Sequence, residues 1–264
     1  MTESGAPDLI LYHSPTSVCS AKVRLLLAEL ELDWQGRKLD LAKGDQFQPD
    51  YLAINANGVV PTLIDDGRVV TESNDIMRHL VHRYGRGSAK RISENDEGWL
   101  SQSLALHDAV NTFTQVIVNR ARLRALPAEE LEQRIALVPD PNRAAKMRCI
   151  LEEGFEAAAV SRARDCVSRL VGEIDLETGS HRWLGGDRYT VADMAILPHI
   201  NRLELLGLEQ FWRAKKNLLA WLLAARDRPS FNKAVGSLIS AKAITKYATA
   251  ISDAKADIEA LFAD

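Results

Sequence analysis

Residues 9–24 read Leu-Ile-Leu-Tyr-His-Ser-Pro-Thr-Ser-Val-Cys-Ser-Ala-Lys-Val-Arg, and the fold is decided there. Leu9 to His13 is a short run of strand formers and Ser14-Pro15-Thr16-Ser17 is a turn signal. Val23, Leu26, Leu27 and Leu30 then recur at helical spacing. Trp34 to Leu41 alternates loosely through Trp34, Leu39 and Leu41, which predicts a second strand reached by a crossover of βαβ length.

Working outward, Pro61 to Ile64 and Arg68 to Thr71 flank Asp65-Asp66-Gly67, and Asp-Gly between short strands is a hairpin signal. A helix is expected from Ser73 to Tyr84, stopped by Gly85. The order βαβ then ββα defines an α/β unit over residues 7–87. The chain turns polar and small from Arg86, so 88–95 is expected as a linker and 96–264 as a second domain. There the spacing is helical over Trp99–Leu126, Asn142–Gly172, Val191–Leu206, Leu218–Arg226 and Ser252–Phe262.

At 264 residues the chain can bury a core without disulfide staples. Its 33 Lys+Arg against 36 Asp+Glu exert no long-range pull on phosphate backbones or anionic lipid, which argues against nucleic acid and membrane as partners. Three widely spaced cysteines, Cys19, Cys149 and Cys166, argue for a reducing compartment and against a zinc cluster. The polar start at 1–7 has no signal-peptide pattern, and the longest apolar runs are too short to span a bilayer, so a cytoplasmic protein is expected.

A helix that starts directly after a strand exposes unpaired N–H groups and a partial positive charge, which favour an anion over the turn. Ser17 and Cys19 both stand there. A serine hydroxyl is too weak a base to deprotonate a thiol, but as a donor it favours the thiolate. Lowering a thiol from about 8.5 to about 6.5 needs roughly 2.7 kcal/mol. Alternatively Ser17 only caps the helix and Cys19 is a small buried hydrophobe. Thr16 and Lys22 occupy the positions where a Cys-x-x-Cys partner would stand, so a reactive Cys19 needs an external thiol. Pro61 suits the start of a strand, and Glu72-Ser73 falls at a helix N-terminus able to hold a carboxylate.

Residues 11–24, together with Asn57-Gly-Val-Val-Pro-Thr-Leu63 and Val70-Thr-Glu-Ser-Asn-Asp-Ile76, resemble the glutathione-binding domain of cytosolic glutathione transferases. Gly186 to Ala195 resembles the internal capping motif of the family's helical domain. The resemblance spans nearly the whole chain. It implies an α/β plus all-α fold: a thioredoxin-like βαβ-ββα domain followed by a helical bundle. It places Ser17 as the hydroxyl that stabilises the glutathione thiolate. It implies that Val60, before a cis Pro61, pairs its backbone with glutathione, that Glu72 and Ser73 hold the γ-glutamyl end, and that Gln46 contacts the glycyl end. Val59 departs from the polar residue of some serine-type members.

The implied activity is attack of a glutathione thiolate on an apolar, aromatic electrophile, with His107, Asn111, Thr114 and Gln115 offering polar contacts to that second substrate. The Ser-Pro-x-Ser-Val-Cys-Ser turn and the insert around Pro139-Asp140-Pro141 also resemble bacterial members near the β-etherase group, which cleave aryl ethers. Two other readings stay open: glutathione-dependent thiol reduction through Cys19, and a non-catalytic glutathione-binding or assembly subunit. A homodimer is implied by the family, with a heterodimer as the alternative.

Other candidates read as structural. Thr190 and Asp193 fit a capping box. His79 and His82 lack a third metal ligand at matching spacing and are expected on the surface. No glycine-rich phosphate loop is present.

Overall fold

The crossover of residues 9–41 forms as a parallel pair, β1 (Leu9–His13) and β2 (Gln35–Lys38), joined by helix α1 (Val18–Glu29). The chain is described by a computed structural model over residues 8–86 and 91–263. Strands β3 (Thr62–Asp65) and β4 (Arg68–Val70) form the Asp-Gly hairpin, and the mixed sheet runs β2-β1-β3-β4. Register puts Leu11 beside Gly36 on one side and Leu63 on the other. Leu9, Leu11 and His13 are buried, as a period-two strand with one covered face requires.

Strand β2 is shorter than its sequence pattern. The Leu39 amide still donates to the His13 carbonyl (2.9 Å), but Asp40 then turns the chain by accepting from the Ala42 amide. After the short helix α2 (Pro49–Leu52), helix α3 (Ser73–Tyr84) spans the expected residues and packs on α1. His79 is not a free surface histidine as expected: its Nε2 lies 2.5 Å from the carboxylate of fully buried Asp65, which also accepts from Tyr84.

The expected boundary at residues 7 and 87, and the linker residues 88–90, lie outside the described residues. Ser93 caps α4 (Glu94–Phe113) in a reciprocal box with Asp96, so helix begins before the expected domain start at 96. A π-helical segment, Thr114–Asn119, and α5 (Arg120–Arg124) continue it. Helices α6 (Ala128–Ala136), α7 (Pro141–Glu153), α8 (Ala158–Ser180), α9 (Val191–Leu205), α10 (Lys216–Arg226), α11 (Pro229–Ala234), α12 (Ala241–Asp253) and α13 (Lys255–Ala260) complete the bundle. Helix α4 packs on α8 and α9, and α9 in turn packs on α1, which joins the two domains.

The helix expected over 142–172 breaks between α7 and α8. Gly154 there has φ +64°, and a Cβ would stand 2.8 Å from the Arg120 guanidinium carbon. The Thr190–Asp193 box opens α9. The Asp193 carboxylate also accepts from the Leu184 amide (2.9 Å) and Trp221 Nε1 (2.8 Å). The tail docks on its own domain through buried Ile258 and through Phe262, whose ring meets Phe211 at 4.7 Å. Among the described residues, no helix is long and apolar enough to cross a membrane.

Candidate functional site

The turn between β1 and α1 is held from behind by an arginine. Buried Arg24, two turns into α1, donates to the carbonyls of Ser14 (3.1 Å), Pro15 (3.2 Å) and, on the helical domain, Ala234 (2.8 Å). Ser17 is the N-cap of α1, and its Oγ accepts from the Ser20 amide at 3.1 Å. Capping uses Ser17 as an acceptor and leaves its O–H able to donate.

Cys19, in the first turn and partly exposed, points instead at the helical domain, where its Sγ lies 3.4 Å from His107 Nδ1 on α4. Burial pushes the thiol up. The His107 imidazolium and its hydrogen bond, then the Lys22 ammonium and a hydrogen bond from Ser73, more than offset that and bring it down to about 7. His107 is held above the usual imidazole range, the thiolate outweighing its burial. A sulfur ionised in part at neutral pH beside a proton-carrying imidazole can act as a nucleophile.

Lys22 follows Cys19 by one helical turn and is buried. Its Nζ donates to Ser73 Oγ (3.2 Å), Ser103 Oγ (3.1 Å) and Asn74 Oδ1, so it bridges α1, α3 and α4. Burial lowers it to about 8 against the opposing pull of Cys19. Behind His107, the ring of His199 on α9 stacks edge-on at 5.7 Å. His199 Nδ1 bonds the Ala195 carbonyl, and burial keeps that imidazole well below its ordinary pKa.

The Val60–Pro61 peptide is cis, as the sequence resemblance implies. The Val59 carbonyl before it accepts from Tyr51 OH (2.5 Å) and Asn55 Nδ2 (3.0 Å), which ties this loop to α2. Gly58 has φ +57° and lies so close to the Phe47 ring that a Cβ would stand 2.9 Å from it. Gln46 is buried in the adjoining turn with its Oε1 unpartnered. Glu72 has φ +61° and receives a long bond from Asn57 Nδ2 (3.5 Å), while Ser73 opens α3.

Ser73 and His107 are thus brought together around Cys19, through Lys22 and the sulfur. Asn111 is exposed on α4. Thr114 spends its hydroxyl on the Val110 carbonyl (2.8 Å), and Gln115 accepts from Asn119 (3.3 Å). Sequence reasoning missed Lys22 and His199. A signal for Lys22 was present, since it interrupts the apolar run of α1 one turn from Cys19. His199, inside the apolar stretch Met194–Ile200, carried none that separates it from a core histidine.

Residues 11–89 match the family described as glutathione S-transferase, N-terminal domain, and residues 157–224 match glutathione S-transferase, C-terminal domain. The chain is 30% identical to glutathione S-transferase GstB of Escherichia coli over 86% of its length and 97% of that protein's. It is 27% identical to tetrachloro-p-hydroquinone reductive dehalogenase of Sphingobium chlorophenolicum, covering 86% and 96% of the two chains. Among solved structures it is similar to beta-etherase LigF from Sphingobium sp. strain SYK-6, with TM-score 0.77, 25% identity and coverage of 86% and 98%. With the thioredoxin-like sheet domain, the helical bundle and the cis Val60–Pro61 turn, these matches establish that the chain belongs to the glutathione S-transferase family.

Proposed function

We propose that the protein is a glutathione-dependent thiol-exchange enzyme in which Cys19 is the nucleophile. The observation that carries this reading is the Cys19 Sγ to His107 Nδ1 contact of 3.4 Å. Glutathione lies along the backbone of Val60 before Pro61, with its γ-glutamyl end at Glu72 and Ser73 and its glycyl end toward Gln46. The Cys19 thiolate attacks the glutathione sulfur of a mixed disulfide. The Cys19–glutathione S–S bond forms as the substrate's S–S bond breaks, and the leaving sulfur takes the electron pair and a proton from His107. A second glutathione, as thiolate, then attacks the adduct, releases oxidised glutathione and restores Cys19. No resolving cysteine is required, which suits a turn with Thr16 and Lys22 where a dithiol partner would stand.

A second reading, transfer of the glutathione thiolate to an apolar aromatic electrophile, is favoured by the O–H of Ser17, left free at the N-terminus of α1. Two similar proteins, named as a tetrachloro-p-hydroquinone reductive dehalogenase and a beta-etherase, support this reading. In this reading Asn111, Thr114 and Gln115 face the electrophile. We propose a homodimer in the cytoplasm for either reading, with a heterodimer as the alternative.

The test is turnover of a glutathionylated peptide and of chlorodinitrobenzene by Cys19→Ser and Ser17→Ala. Loss of the first activity in Cys19→Ser alone supports exchange through Cys19. Loss of the second in Ser17→Ala supports transfer. Glutathione binding without either turnover favours the non-catalytic subunit.

A further inference from the structure

The insert around Pro139-Asp140-Pro141 reaches across to the sheet domain. Its helices α5, α6 and α7 close on a small core of their own, Leu123, Ile135 and Leu151, set apart from the core of the bundle. Arg120 and Arg124 on α5 fasten the far end of α7 by donating to the Leu151 carbonyl (3.2 and 3.3 Å). Helices packed in this way aim their side chains more closely than a free loop does.

From this insert two arginines bridge to the loops on either side of Gln46. Arg134, in the last turn of α6, donates to the Ala42 carbonyl, and Arg143, in the first turn of α7, donates to the Asn57 carbonyl (3.3 Å). Those two loops touch each other, since a Cβ on Gly58 would stand 2.9 Å from the Phe47 ring and 3.3 Å from the Gln46 carbonyl oxygen. Among the described residues neither arginine takes part in an ion pair. The carboxylates of the same turn are engaged elsewhere: Asp45 accepts from the Asp40 amide (2.8 Å), and Asp40 accepts from the Ala42 amide (3.0 Å).

Each guanidinium carries five N–H donors and spends one on these carbonyls. Gln46 supplies the complementary group, because it is buried and its Oε1 has no hydrogen-bond partner. An unpaired amide oxygen, in a turn flanked by two guanidinium groups without a counter-charge, matches a C-terminal amino acid. The amide N–H of such a residue satisfies the oxygen, and its carboxylate takes charge-assisted bonds from the arginines.

We infer that Arg134 and Arg143 are specificity-determining residues that hold the free glycyl carboxylate of glutathione from the helical domain, so that the protein selects glutathione over derivatives amidated or extended at that end. This rests on the proposed function for where glutathione lies. It adds the insert to a glutathione site whose other proposed residues, Gln46, Val60, Glu72 and Ser73, all belong to the sheet domain.

Binding of S-methylglutathione, whose sulfur cannot exchange, and of its glycyl amide is measured by calorimetry on the full chain. The free acid is expected to bind about tenfold tighter than the amide, a preference that shrinks as salt rises. Arg134→Gln and Arg143→Gln are each expected to weaken the acid several-fold while leaving the amide unchanged. The double substitution should bring the two ligands within about twofold of each other, and Arg143→Lys should keep part of the preference. Arg143 is exposed, so its variants change charge without disturbing packing. Equal affinity of the unaltered chain for acid and amide overturns the inference, as does a preference unmoved in the double variant. An equal loss for both ligands also overturns it, since the arginines would then only prop the insert. If neither ligand binds the unaltered chain, the placement of glutathione fails and the inference with it. If the preference holds and depends on the arginines in a protein that exchanges no disulfide, the proposed nucleophile fails alone.

Discussion

Cys19 on the first helix of the sheet domain and His107 on the first long helix of the bundle meet at 3.4 Å, so the most acidic thiol of the protein is completed by a residue of the other domain. Cys149 and Cys166 are pushed the opposite way, chiefly by burial. This difference favours reaction at Cys19 over the other two cysteines.

The pH dependence has a definite sign. Cys19 gains its negative charge as pH rises through about 7, so its alkylation by iodoacetamide should accelerate over that range and level off above it. In His107→Gln the same midpoint should move up by about one to two pH units, since an opposite charge at this range shifts a thiol by that order. Rates measured by peptide mapping across pH check both; a midpoint unchanged by the substitution would separate His107 from the sulfur.

Lys22→Met removes the donor shared by Ser73, Asn74 and Ser103 while keeping the apolar stem. Buried polar groups left without a partner cost about 1–3 kcal/mol in all, and the loss of a cation beside Cys19 should raise its midpoint by less than His107→Gln does. Urea unfolding and the alkylation profile read the two effects separately. With Ser73 proposed to hold the γ-glutamyl end of glutathione, loss of its anchor should lower glutathione affinity as well.

Asp193→Ala should be among the most destabilising single changes in the bundle. It strands the Leu184 and Thr190 amides and Trp221 Nε1, all of which donate to this buried carboxylate. About 3 kcal/mol or more is expected from denaturant unfolding, with Asp193→Asn losing less because one acceptor survives.

Gly154→Ala tests the break between α7 and α8. A side chain at φ +64° is strained, and its Cβ would press on Arg120, which holds this corner by donating to the Leu151 carbonyl (3.2 Å). A loss of roughly 1–3 kcal/mol is expected in thermal or denaturant melts.

What the sequence made legible was local. The Asp66-Gly67 hairpin, the Ser73–Tyr84 helix and the Thr190–Asp193 box are each specified by residues within a few positions of one another. Ser17 as a cap was legible for the same reason. The Cys19–His107 contact joins residues 88 positions apart, and no periodicity carries that information. Gly154 is a single glycine in an otherwise helical pattern, and the Arg120 guanidinium that occupies its side-chain space comes from 34 residues upstream, so the break was hidden.

The most direct measurement is the mass of the intact protein after brief exposure to oxidised glutathione at pH 7, followed by peptide mapping and then by addition of reduced glutathione. One glutathionyl group on Cys19, gained well ahead of Cys149 and Cys166 and removed again by the reduced thiol, is the predicted result. A Cys19 that stays unmodified while the other two react would contradict a nucleophilic role for this residue.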